Sequence, residues 1–146
     1  MKLNALLILS ILVPTLVFSQ VSSTSFKKNS ITQTPFSFVE QMPEFPGGEA
    51  ALGEFIATHF QVSDAARKSQ LNTARIIVRF VVTETGSVSE IKTMNKVGFG
   101  LEEEAIRVVG SFPKWKPGRQ NGKPVPVYFT LPITIAIDDL PSEQKK

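Results

Sequence analysis

The chain has no cysteine and only one histidine, one tryptophan and one tyrosine in 146 residues. Without cysteine there is no disulfide scaffold, no thiol nucleophile and no thiolate metal centre, so a domain of this size must hold itself by packing. A lone His59 leaves no second imidazole to make a metal pair. No Gly-Lys-Ser/Thr phosphate loop and no Gly-x-Ser-x-Gly elbow occurs, and Gly98-Phe99-Gly100 lacks the third glycine of a dinucleotide loop. With no convergent catalytic groups, the sequence predicts a protein that is not an enzyme and binds no cofactor, metal or small-molecule substrate. The excess of one sign of charge is also small. Lys plus Arg number 16 against 13 Asp plus Glu, and removing Lys2 with an amino-terminal segment leaves +2, which specifies no anionic partner.

What is present begins with an export signal. Lys2 precedes an apolar run, Leu3 to Phe18, interrupted only by Asn4, Ser10, Pro14 and Thr15. Val17 and Ser19 satisfy the small-residue rule for cleavage, so residues 1–19 read as a signal peptide and Gln20 as the mature start. The alternative is an uncleaved membrane anchor, because the run approaches the roughly 18 to 20 apolar residues that span a bilayer. No cysteine follows it, which excludes a lipid-modified amino terminus. Residues 20–35 are polar and predict a flexible leader, and residues 138–146 a disordered tail. The remaining segment, 36–137, is long enough for one core and not for two domains.

Its periodicities predict a small α+β domain. Met42-Pro43 and Phe45-Pro46 make Phe36–Pro46 an extended strap, closed by Gly47-Gly48. Leu52, Phe55, Ile56, His59 and Phe60 recur at helical spacing behind Glu49, and Ser63-Asp64 caps a short turn towards Ser69. Ala74–Thr83 alternates as a strand, Glu84-Thr85-Gly86 signals a hairpin, and Ser87–Asn95 is the return strand. Val88 and Ile91 have opposite parity, which calls for a bulge or a late strand start. Leu101, Ala105, Val108, Val109 and Phe112 mark a second helix, with Glu102, Glu103 and Glu104 complementing its dipole and Glu103 spaced to pair with Arg107. Lys114–Pro124 is a basic turn region containing Asn121-Gly122. From Val125 to Ile137, seven alternate positions are apolar.

Pro126 and Pro132 interrupt that last strand six residues apart, so their missing N–H groups face one side. A central strand cannot lose two ladder donors on one side, and the strand is therefore placed at a sheet edge. Tyr128, Thr130, Thr134 and Ala136 share the proline parity and would present free N–H and C=O groups to solvent or to an incoming strand. Edge prolines also serve simply to prevent aggregation, and the pattern by itself fits both roles.

Val39-Glu40-Gln41-Met42-Pro43-Glu44-Phe45-Pro46-Gly47-Gly48 resembles the opening of the carboxy-terminal domain of TonB-type energy transducers, in its Bacteroidetes form. The likeness continues in order through Ile77–Val82 with Thr85–Val88, Leu101–Ala105, Trp115-Lys116-Pro117-Gly118 and Tyr128–Ile133. This resemblance implies a three-stranded antiparallel sheet with two helices packed on one face, working in the periplasm. It further implies that the last strand takes up the TonB box, a short extended segment of outer-membrane transporters, by β-augmentation. The family's Tyr-Pro, whose surroundings also touch that segment, is Gln61-Val62 here. Tyr128, Thr130, Thr134, Ala136 and Gln61 are thus the candidate partner-binding residues. A leader from Gln20 to Pro35 spans at most about 55 Å, short for a transducer that works between two membranes. An envelope scaffold that forms homodimers through the same edge is the alternative function.

Three further features have plainer readings. His59 falls on the apolar face of its helix and reads as a packed or half-exposed residue rather than a ligand. The acidic run Glu102–Glu104 reads as a solvated helix start. Lys114-Trp115-Lys116 with Arg119 and Lys123 is a basic and aromatic cluster, but export argues against nucleic acid, and the tryptophan reads as core. Amino-terminal sequencing of the protein recovered from cells is expected to begin at Gln20; a sequence beginning at Met1 would establish the anchored alternative.

Overall fold

The computed structural model describes residues 33–137. The signal segment 1–19, residues 20–32 of the leader and the tail 138–146 lie outside the described residues. Within them no helix is long and apolar enough to cross a membrane.

The strap is extended as its prolines require, and three isolated bridges stitch it down. Phe36 pairs with Val127 in parallel, and Gln41 with Arg119 and Glu44 with Lys116 in antiparallel fashion. Gly47 and Gly48, at φ 87° and 80°, then turn the chain into helix α1, Gly48–His59. Helix α2, Asp64–Arg67, is capped by Ser63, whose Oγ accepts the Ala66 N–H at 3.1 Å. Strands β1, Thr73–Val82, and β2, Val88–Thr93, form the expected hairpin. Helix α3, Leu101–Gly110, leads to a small hairpin of β3, Arg119–Gln120, and β4, Lys123–Pro124. Its turn is Asn121-Gly122, both at positive φ, the combination that a two-residue type I′ loop demands. Strand β5, Val127–Ala136, is last.

The main sheet is antiparallel with the order β2-β1-β5. One face is the core. Ala74, Ile76, Val78, Phe80 and Val82 from β1, with Val127, Leu131 and Ile133 from β5, are buried there. Helix α3 covers β2 and β1, and α1 contributes Leu52, Phe55 and Ile56 to the same cluster. The opposite face carries Arg75, Ile77 and Arg79 beside Tyr128, Thr130, Pro132, Thr134 and Ala136.

The parity conflict in β2 is resolved by a bulge. Register shifts between Arg79 and Val81, and Glu90, at φ 50°, takes up the extra residue. Ordered pairing ends at Thr93, but Asn95 prolongs it with its side chain: Oδ1 accepts the Ile77 N–H at 2.7 Å and Nδ2 donates to the Arg75 carbonyl at 2.8 Å.

An aromatic cluster joins these pieces. Trp115 is 4% exposed, with the rings of Phe45, Phe80, Phe112 and Phe129 at centroid distances of 5.5, 5.6, 5.8 and 5.0 Å. Its indole N–H has no hydrogen-bond partner among the described residues, so the ring contributes by packing. The Trp115 backbone N–H donates to the Gly86 carbonyl at 2.9 Å. Gly86 has φ 81°, and a Cβ there would lie 2.0 Å from the Trp115 carbonyl oxygen.

The two left-handed positions of this hairpin should respond oppositely to substitution. Gly86→Ala is expected to lose about 2 kcal/mol or more, through strain and the clash with Trp115. Glu90→Gly is expected to gain up to about 1 kcal/mol, because glycine adopts the bulge conformation without penalty. Urea unfolding of the two variants checks both; destabilisation by Glu90→Gly would refute the bulge assignment.

Candidate functional site

Strand β5 has β1 on one side only, so its other side is a sheet edge, as Pro132 requires; Pro126 precedes the strand, which begins at Val127 rather than Val125 because the Val125 N–H is taken by the Gly118 carbonyl. In the register Pro132 stands opposite Ile77, at a position where its absent N–H points outwards and weakens no internal bond. The backbone groups of Tyr128, Thr130, Thr134 and Ala136 share that outward direction by strand alternation.

One part of this edge is not free, and the expectation of a free N–H at Tyr128 is corrected accordingly. The Tyr128 N–H donates to the Phe36 carbonyl at 2.8 Å, and the Phe36 N–H donates to the Pro126 carbonyl at 2.9 Å. The strap thus adds one residue of parallel strand to the beginning of the edge. The reason is chain economy: the strap must cross the end of β5 to reach its bridges at Gln41 and Glu44, and Phe36 finds vacant groups there. The open edge therefore runs from Thr130 to Ala136.

Helix α1 flanks this remaining stretch. Gly53, Ile56 and Ala57 line a groove of ≈ 260 Å³ together with Pro132, Ile133, Thr134 and Ile135. The small side of α1 faces it, and a Cβ at Gly53 would meet nothing within 4 Å. A strand laid along Thr130–Ala136 would turn alternate side chains into this largely apolar hollow. Neither the strap contact at Phe36 nor the groove was foreseen from the residues. A glycine within an otherwise regular helix was the one available sign of the latter.

Gln61 is brought to a different place. It lines a surface depression with Gly100, Glu103, Glu104 and Arg107, and its N–H donates to Glu104 Oε1 at 2.7 Å. Arg107 pairs with Glu104 at 2.6 Å and not with Glu103, and it also donates to the His59 carbonyl at 2.6 Å. Glu104 is drawn to Arg107 because the carboxylate already fixed on Gln61 lies one turn away from the guanidinium. Glu102 is likewise more than a solvated acid: it accepts the N–H groups of Val97 and Gly98 and closes the loop ahead of α3. Hydrogen bonding, chiefly from the Gly98 N–H, holds Glu102 below the ordinary glutamate range, and the Arg107 side chain does the same for Glu104. His59 is exposed and stacks on Phe55 at 3.9 Å. Among the described residues no group of three or more His, Cys, Asp or Glu could hold a metal ion.

A family model described as the Gram-negative bacterial TonB protein C-terminal domain matches residues 63–135, half of the chain. The match takes in every element from α2 through nearly all of β5, while the strap, α1, Gln61 and Ala136 fall outside it. No curated protein and no solved structure matches the chain.

The depressed carboxyls set an acid limit on the fold. A carboxylate held below its unfolded value contributes stability that is complete above about pH 4.3 and is lost as pH falls through the lower folded value. Thermal unfolding followed from pH 6 to pH 2.5 should show this loss in the wild type. In Glu102→Gln with Glu104→Gln the slope should be shallower, with a lower starting stability; an unchanged slope would contradict the two anchoring roles.

Proposed function

The chain belongs to the Gram-negative bacterial TonB protein C-terminal family, and we propose that it binds an extended segment of outer-membrane transporters, the TonB box, as an added strand beside β5. Domains of this family are non-catalytic interaction modules of the cell envelope that work with outer-membrane transporters in energy-coupled transport. The observation that carries the finer reading is the open ladder of Thr130–Ala136, which has outward N–H and C=O groups and an adjoining apolar groove. Such an edge supplies backbone hydrogen bonds for affinity and a side-chain hollow for limited specificity. Pro132 shapes the docking by withholding one donor, so a parallel or antiparallel guest loses one bond at the middle of the edge.

The parts around the edge support its use in binding. Phe36 closes the ladder at Tyr128 and leaves a guest strand a defined starting point at Thr130. Phe38, 87% exposed, follows directly and adds apolar surface on the strap. Gln61 is a weaker candidate, because its backbone is committed to Glu104. Self-association through β5 is the second reading, favoured by the same unpaired groups.

Titrating the isotope-labelled protein with amino-terminal peptides of outer-membrane transporters is expected to move the amide signals of Thr130, Thr134 and Ala136. Thr130→Pro removes one outward donor without touching the β1 ladder and should weaken binding by roughly tenfold, about one charge-neutral hydrogen bond. Shifts confined elsewhere, or none at millimolar peptide, would sink the proposal. A concentration-dependent dimer abolished by Thr130→Pro would support the self-association reading in its place.

A further inference from the structure

The sheet face turned away from the helices gathers three cations that form no ion pair among the described residues. Arg79 on β1 stands directly opposite Lys92 on β2, and Arg75, four residues earlier on β1, shares its face. Like charges directly opposite one another destabilise a sheet. The ion pairs among the described residues are Glu104–Arg107 and Glu44–Lys116, and neither relieves this group. A local conflict of this kind, relieved by no ion pair in an otherwise consistent sheet, is what a functional surface would carry.

The charge is also directed. The Arg79 guanidinium lies 5.0 Å from the centroid of the Tyr128 ring, which carries it off its own strand and over β5. Thr130 and Thr134, the register partners of Arg79 and Arg75, are exposed on the same face. A strand added beside β5 would lie about 4.8 Å further out, with every second side chain on this face. The short Thr130 and Thr134 side chains, and the Tyr128 ring beneath the Arg79 guanidinium, would stand between those side chains and the two arginines.

We infer that the segment captured by β5 is an acidic one, bearing carboxylates on the open face of the sheet where Arg79 and Arg75 read them. The inference rests on strand addition at β5 and specifies the chemistry of the guest: apolar side chains towards the α1 groove, acidic ones on the opposite face. Lys92 adds to the positive field without reaching the guest, and the threonines tolerate the acids without competing for them.

Two synthetic peptides test this, one alternating valine with glutamate and the other valine with glutamine, titrated into the full chain with β5 amide shifts as the readout. The glutamate peptide is expected to bind roughly three- to tenfold tighter at low salt. That preference should vanish at about 1 M salt, where the Debye length is about 3 Å. It should vanish in the Arg75→Gln, Arg79→Gln double variant and persist in Arg79→Lys, with the glutamine peptide binding all three proteins alike. Equal affinity of the two peptides, or a preference indifferent to the double variant, overturns the inference. If both peptides move the β5 amides equally, strand addition stands and only the acidic specificity fails; if neither moves them, both fail.

Discussion

The docking of Trp115 against the Gly86 turn is the contact on which the other placements depend. It brings the backbone that follows α3 to within hydrogen-bonding distance of the β1–β2 hairpin, an approach that any side chain at residue 86 would block. Once the indole is there, rings from the strap, the central strand, the exit of α3 and the edge strand can all reach it. Three of these four pairs meet edge to face, a geometry that adds to ordinary burial. A domain without disulfides thus concentrates its tertiary specificity in one aromatic knot.

That knot sets the conditions for the binding edge. Phe129 contributes its ring to Trp115 at 5.0 Å, so β5 is anchored from its core side and keeps its geometry with one lateral side unpaired. Gly118 serves the same end, since a Cβ there would lie 2.5 Å from Val127 Cγ2 and push the start of β5 away. An edge strand must be rigid to act as a template yet not so adhesive that copies aggregate. Here Pro132 removes one donor and the strap covers the first outward pair, which leaves a short, directional ladder beside a helix with a small face.

Much of this was legible in the residues because it depends on local stereochemistry. The alternation of Ala74–Val82, the helical spacing of Leu101–Val109 and the extended strap before Gly47 all appear as expected. The parity conflict of Val88 and Ile91 called for a bulge or a late strand start, and the structure takes the bulge. Less legible were interactions between segments far apart in the chain. The spacing of Glu103 and Arg107 suited a pair, but the Gln61 N–H, 43 residues away from Glu104, decided which carboxylate would face the guanidinium. Nothing near Phe36 announces a parallel bridge to Val127, because a single bridge has no periodicity to read.

The sequence by itself determined that β5 is an edge strand and which of its residues face outwards, because proline lacks an N–H and a strand alternates with a period of two. Those are properties of the covalent chain. Tertiary structure alone decided that Phe36 occupies the Tyr128 end of that edge, that α1 builds a groove beside the other end, and that Arg75 and Arg79 stand beside Thr134 and Thr130. Each of these depends on the register and packing of segments that meet only after folding, and no local rule specifies which distant residue will fill a given place.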